Sequence, residues 1–162
     1  MTTYLKEDFV YDANLLLEDS LDSSGVASPI VASQEGKVLD VAKIVDLGDG
    51  LVEGNMIIDI DDIDVAAADE LYQIFLQGSN SATFAVAGGI RNLAMLELGS
   101  GELLTNATAT TGDQGADDER YVVPFRNEQG GTVYRYVRAY QEIANGTGET
   151  ITDRIWLSLK RK

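Results

Sequence analysis

Apolar residues in this chain come in short runs, and every run ends at a cluster of Gly, Asp, Asn or Ser. The breakers SSGVASP, LGDGLVEG, GSNSA, LGSGE, TTGDQGADDE, NEQGG and NGTGE recur along the whole length. Helices need a 3.6-residue apolar period held over ten residues or more, and almost no segment offers one. Short apolar runs between turn residues point instead to many short strands. The strands expected are 10–17, 36–47, 54–61, 70–77, 92–98, 120–125, 132–143 and 152–160. About eight strands at this spacing make an all-β chain, a β-sandwich of jelly-roll type. Pro124 falls inside the run RYVVPF, and a residue without an N–H places that strand at an edge or at a bend. No linker-like change of composition divides residues 1–162, so one domain is expected, with DSLDSSGVASPIVASQEG (19–36) as a long mobile loop.

Composition narrows the chemistry. The 162 residues include no Cys and no His, which removes disulfides, thiolate zinc sites and catalysis by Ser–His or Cys–His pairs. An enzyme of this composition would depend on carboxylates or lysines. With 27 Asp and Glu some carboxylates must lie close together, but no spacing selects a hydrolytic pair. The sequence therefore names no catalytic residue, no cofactor and no metal, and the expectation is a protein that is not an enzyme. The acidic run IIDIDDIDVAAADE lacks the glycine and the alternate oxygen ligands of a calcium loop. Its Asp–Ile alternation reads as a strand with one wet face. MTTYLKEDFVYD carries an acidic pair where a signal peptide needs apolar residues, and no apolar run approaches a membrane span, so a soluble chain made in the cytoplasm is expected.

Charge is unevenly placed. The net charge is −15; residues 1–119 hold 23 acids and 4 bases, whereas residues 120–162 hold 4 acids and 8 bases. Such a balance repels nucleic acid and anionic lipid. Two strands in the basic quarter draw attention. In GTVYRYVRAY, Thr132, Tyr134, Tyr136, Arg138, Tyr140 and Glu142 alternate onto one face, an aromatic–arginine stripe, opposite Val133, Arg135, Val137, Ala139, Gln141 and Ile143. In TDRIWLSLK, alternation sends Ile155, Leu157 and Leu159 to the core and leaves Arg154 and Trp156, the only tryptophan, on the polar side. Tyr, Trp and Arg are the residues enriched at protein interfaces. Tyrosines packed within the sandwich, and a tryptophan covered by its own loops, explain the same pattern.

Several segments together, YDANLLLEDSLD (11–22), IVDLGDGLVEGNMIIDIDDID (44–64), YQIFLQGSNSATF (72–84), MLELGSG (95–101) and VVPFRNEQGGTVYRYVRAY (122–140), resemble the jelly-roll capsid cement, or decoration, proteins of tailed bacteriophages. The last is the most specific, with a Phe-Arg-Asn turn, a glycine pair and then Tyr-Arg-Tyr-Val-Arg. The resemblance implies a homo-oligomer bound to the major capsid protein on the outer surface of the virion, bridging capsid subunits; a dimer is expected before a trimer, and the charge and hydropathy argue against a nucleic-acid or membrane partner. The acidic stretch 59–70 departs from that likeness. The contact residues expected are Arg126, Tyr134, Tyr136, Arg138, Tyr140, Arg154, Trp156 and the basic end Lys160, Arg161 and Lys162. The competing class is a carbohydrate-binding sandwich module of a virion, with Tyr134, Tyr136, Tyr140 or Trp156 stacking on sugar rings.

Overall fold

The computed structural model describes residues 12–65, 69–85, 89–100, 118–144 and 148–160. The strands are β1 (Leu16–Glu18), β2 (Gln34–Glu35), β3 (Lys37–Val38), β4 (Val41–Ala42), β5 (Val45–Asp46), β6 (Glu53–Ile63) and β7 (Leu71–Ser79). They continue with β8 (Arg91–Gly99), β9 (Glu119–Arg126), β10 (Glu128–Gln129), β11 (Thr132–Val133), β12 (Tyr136–Ala144) and β13 (Ile151–Leu159). Two antiparallel sheets pack face to face. The first has the order β1-β13-β6-β9; the second has β2-β12-β7-β8, with β5 also pairing β12. The chain is an all-β sandwich.

Alternation builds the core. Met56, Ile58 and Ile60 of β6 and Ile155 and Leu157 of β13 point inward from the first sheet. Tyr72, Ile74 and Leu76 of β7 and Val137 and Ala139 of β12 meet them from the second. The acidic run forms the last part of β6, and its double aspartate marks a bulge. Thr152 pairs with Asp62 but Asp153 pairs with Ile60, so Asp61 is the extra residue. One added residue lets Ile60 and Ile63 both turn inward despite their three-residue spacing. β9 closes the first sheet among the described residues, with Pro124 opposite Asn55, as a proline in a strand requires.

Three strand expectations need correction. Of 10–17, residues 10 and 11 lie outside the described residues and only Leu16 and Leu17 are in a strand; Ala13–Leu15 form a 3-10 turn capped by the Asp12 carboxylate, which accepts from the Asn14 N–H at 2.8 Å. The run 36–47 is not one strand but β3, β4 and β5, folded at Leu39 and Asp40. Both of those residues have left-handed φ, +51° and +63°, the geometry of a two-residue type I′ hairpin. Carboxylates hold this turn, since Asp19 accepts from the Leu39 N–H at 3.2 Å and Asp40 accepts from the Ser23 N–H at 3.0 Å. Finally, 132–143 breaks between Val133 and Tyr136.

That last break is organised by one side chain. Asn127 is fully buried; its Oδ1 accepts from the Val52 N–H at 2.7 Å, and its Nδ2 donates to the carbonyls of Gly50 and Tyr134 at 3.0 Å each. The β10–β11 hairpin lies between Asn127 and Tyr134, turning on Gly130 and Gly131 at φ +61° and +82°. The segment 19–36 has little regular structure, yet it closes on itself through the Leu21–Ala27 bridge and is tied to the sandwich through the Ile30–Ile151 bridge and β2.

Candidate interaction faces

The break at 134–135 divides the aromatic–arginine stripe. Tyr134 is buried, stacked beside Gly78 and Leu93, where a Cβ on residue 78 would come within 2.9 Å of the Tyr134 Cβ. It does not share a face with Tyr136, Arg138 and Tyr140. Those three lie on the outer face of the second sheet, and that face is largely occupied by its own side chains. Arg138 is 14% exposed; its guanidinium sits 4.5 Å from the Phe84 ring centre and 5.4 Å from that of Tyr140. It donates to Glu35 at 2.7 Å and to Gln77 at 3.1 Å. Arg135 turns outward and forks onto Asp46 at 2.9 and 2.7 Å, with a third bond to Asp49 at 3.1 Å. These carboxylates hold the Arg135 guanidinium far above its usual range. The rung Tyr140–Phe75–Met95 crosses this face, with Phe75 buried and Met95 exposed.

The outer face of the first sheet is arranged differently. Register places Leu16, Trp156, Ile57 and Val122 in one row across all four strands. Ile57 in the middle of the row is only 1% exposed, while Val122 at the margin is 43% exposed and Trp156 is half-buried. On one side of this apolar row runs a charged rung, Arg154–Asp59–Arg120. Arg120 forks onto Asp59, Arg154 donates to Asp61 at 2.7 Å, and the Arg154 guanidinium lies 5.9 Å from the Trp156 ring centre. On the other side come Ser158, Asn55 and Pro124, then Glu53 opposite Arg126. Arg126 pairs with Glu53 at 3.6 Å and with Glu128 at 3.8 Å, and the backbone of Lys160 joins Glu53.

Two shallow hollows flank the row. One of 280 Å³ is lined by Asp59, Asp61, Asp118, Arg120 and Arg154; one of 390 Å³ is lined by Leu93, Pro124, Phe125, Arg126 and Lys160. Among the paired rungs, the cations Arg120, Arg126, Arg154 and Lys160 balance the carboxylates Glu53, Asp59, Asp61 and Glu128. Asp118 and Glu119 also line the first hollow, so four cations stand among six carboxylates here, a larger share of cations than the 12 among 27 of the whole chain. An apolar centre with a rim of paired charges is the anatomy of a protein-binding surface.

Of the residues expected from sequence, the structure brings Arg126, Arg154, Trp156 and Lys160 onto this face. Tyr136, Arg138 and Tyr140 lie on the opposite sheet, Tyr134 lies inside, and Arg161 and Lys162 lie outside the described residues. Of the rings named as sugar stackers, Tyr136 and Tyr140 share one face, Trp156 lies on the other sheet and Tyr134 is buried. Sequence reasoning missed Ile57, Val122, Leu16 and the Asp59–Arg120 pair. A signal was available: Met56-Ile57-Ile58 and Ile74-Phe75-Leu76 are three consecutive apolar residues in otherwise alternating strands, which means that both faces are covered. Among the described residues no group of three Asp, Glu, His or Cys is placed to hold a metal ion. Compared with known proteins, the chain matches no family model, no curated protein and no solved structure.

Proposed function

We propose that the chain is a cement, or decoration, protein of a tailed-phage head, bound to the major capsid protein through the outer face of its first sheet. The observation that carries this reading is the row Leu16–Trp156–Ile57–Val122 within its rim of mixed, largely paired charges. The likeness of five ordered segments to phage cement proteins supplies the partner class. The jelly-roll type of the sandwich and a seat on the outside of the virion belong to the same proposal.

Cementing needs no reacting group. A protein that binds the assembled shell but not its dissociated subunits stabilises the shell by mass action. A homo-oligomer, with a dimer as the simplest form, would engage several capsid subunits at once and gain avidity from their repeat. Trp156 would supply the buried anchor and the paired rim charges the register, over an interface of about 1,600 Å². The acidic remainder would face solvent and keep particles apart. Co-sedimentation with undecorated heads of the parent phage tests the reading. Wild-type protein pellets with the heads at saturating stoichiometry, and failure to pellet at any salt concentration rejects it.

A further inference from the structure

One end of the sandwich is polar where it is driest. Asp153 of β13 is fully buried, Glu18 of β1 and Gln141 of β12 are 2% exposed, and Asp19 and Ser20 are buried beside them. Ser20 Oγ donates to Asp153 Oδ1 at 3.3 Å and accepts from the Asp153 N–H at 3.0 Å. Gln141 Nε2 donates to both Asp153 oxygens at 3.0 Å. Glu18 accepts from the N–H groups of Ser20 at 2.8 Å and Lys37 at 2.7 Å, and Asp19 accepts from Leu21 and Leu39. The chain leaving β1 is thus held by carboxylates more than by a strand ladder. Beyond them its ties are Ile30, which exchanges two backbone hydrogen bonds with Ile151, the Ser33 hydroxyl on the Ile143 backbone, the Gly36 N–H on the Ala139 carbonyl, the Asp19 N–H on the Lys37 carbonyl, and the two-residue β2.

Among the described residues no Lys or Arg forms an ion pair with Glu18, Asp19 or Asp153. Lys37 turns its Nζ to Gln34 Oε1 at 2.9 Å, and Arg154 lies on the opposite face of β13 with Asp61. The charges felt by Asp153 are those of Glu18 and Asp61, and Glu18 feels Asp19. All of them are carboxylates. Burial first, and the neighbouring charge second, push the Asp153 carboxyl up to about 7; burial pushes Glu18 up to about 6 against its backbone hydrogen bonds.

We infer that the Glu18–Asp153 cluster is a proton-operated clasp on the 19–36 segment, closed while the pair holds a proton and released when both carboxylates are charged. Two buried negative charges without a counter-ion are relieved by a proton or by water. Water has a route to the Glu18 side of the cluster, because a 270 Å³ cavity is lined by Glu18, Ser20, Pro29, Ile30, Lys37 and Asp40. The segment with the fewest ladder bonds is the one that opens at least cost. Because both folded values are raised, the folded chain holds more protons than the unfolded chain above the ordinary carboxyl range. The hold is therefore greatest in acid and falls as pH rises towards about 7.

Amide hydrogen exchange on the full chain from pH 5 to pH 8, corrected for intrinsic rates, tests the clasp. The amides of Ser20, Lys37 and Asp153 lose protection together by about tenfold or more, and their exchange at pH 8 is insensitive to low urea, the mark of local opening. Asp153→Asn and Glu18→Gln each reduce that pH dependence. Protection independent of pH in the wild type overturns the inference. So does exchange at these amides that follows the urea dependence of the β6 and β13 core, or a pH response that persists unchanged in both variants.

Discussion

Replacing Asn127 by alanine removes a side chain that holds three backbone groups, two from the 50–52 segment and one from Tyr134. The Val52 N–H and the carbonyls of Gly50 and Tyr134 each lose a partner at 2.7 to 3.0 Å. An intramolecular hydrogen bond contributes about 0.5–1.5 kcal/mol net, and a buried polar group left unpaired costs about 1–3 kcal/mol. Water can reach part of the site, since two of the three bonds are only partly buried, so the lower figures apply and the sum is about 3 kcal/mol. A domain of this size is stable by about 5–15 kcal/mol, so the variant still folds. The bonds between the backbones of Asn127 and Val52 and of Tyr134 and Asn127 survive, which keeps the hairpin in place. Urea unfolding followed by tryptophan fluorescence measures the difference, with the slope unchanged. A loss below about 1 kcal/mol would refute the claim that Asn127 organises the 127–135 corner.

Other substitutions separate groups that look alike in sequence. Arg138→Ala lowers stability by about 1–2 kcal/mol, because Arg138 is enclosed by Phe84, Tyr140, Glu35 and Gln77. Arg135→Ala leaves the urea midpoint where it was, since its ion pairs with Asp46 and Asp49 are exposed. Gly78→Ala costs about 1–3 kcal/mol by overpacking, as its Cβ would meet Leu93 Cδ1 at 2.7 Å and the Tyr134 Cβ at 2.9 Å. The wild-type urea midpoint falls as pH rises from 5 to 8, because Asp153 and Glu18 hold protons in the folded state that the unfolded state has released. A midpoint that rises over that range contradicts the burial of these carboxylates.

The fold was legible where side chains act through their own alternation. β6, β7, β8, β9, β12 and β13 follow apolar runs bounded by turn residues, and Pro124 marked its edge position. The rest depended on partners distant in sequence. Two hairpins turn on paired left-handed residues, yet only Gly130–Gly131 carries the usual composition. Leu39–Asp40 adopts the same geometry because Asp19 and Ser23, some 20 residues away, satisfy it. Tyr134 continues the alternation of its strand on paper, but buried Asn127 ends that strand in space.

The candidate face was half-visible for a related reason. Trp156 and Arg154 stand out within one strand. The row that gives them meaning needs the register of β6 against both β13 and β9, which no single strand contains. Strand alternation puts Asp153 on the aliphatic face with Ile155 and Leu157, and it does point inward. Its buried neighbours Glu18, Ser20 and Gln141 come from other strands and from the long loop, so nothing local announced the cluster.

The central claim is that the Trp156 row meets the shell. The most direct measurement is co-sedimentation of Trp156→Asp and Tyr140→Asp variants, each first shown to be folded, with undecorated heads of the parent phage. The account predicts that Trp156→Asp lowers head occupancy at least tenfold, while Tyr140→Asp, on the opposite sheet, binds as wild type does. Wild-type binding by Trp156→Asp, or loss confined to Tyr140→Asp, would place the contact on the other face and contradict the account.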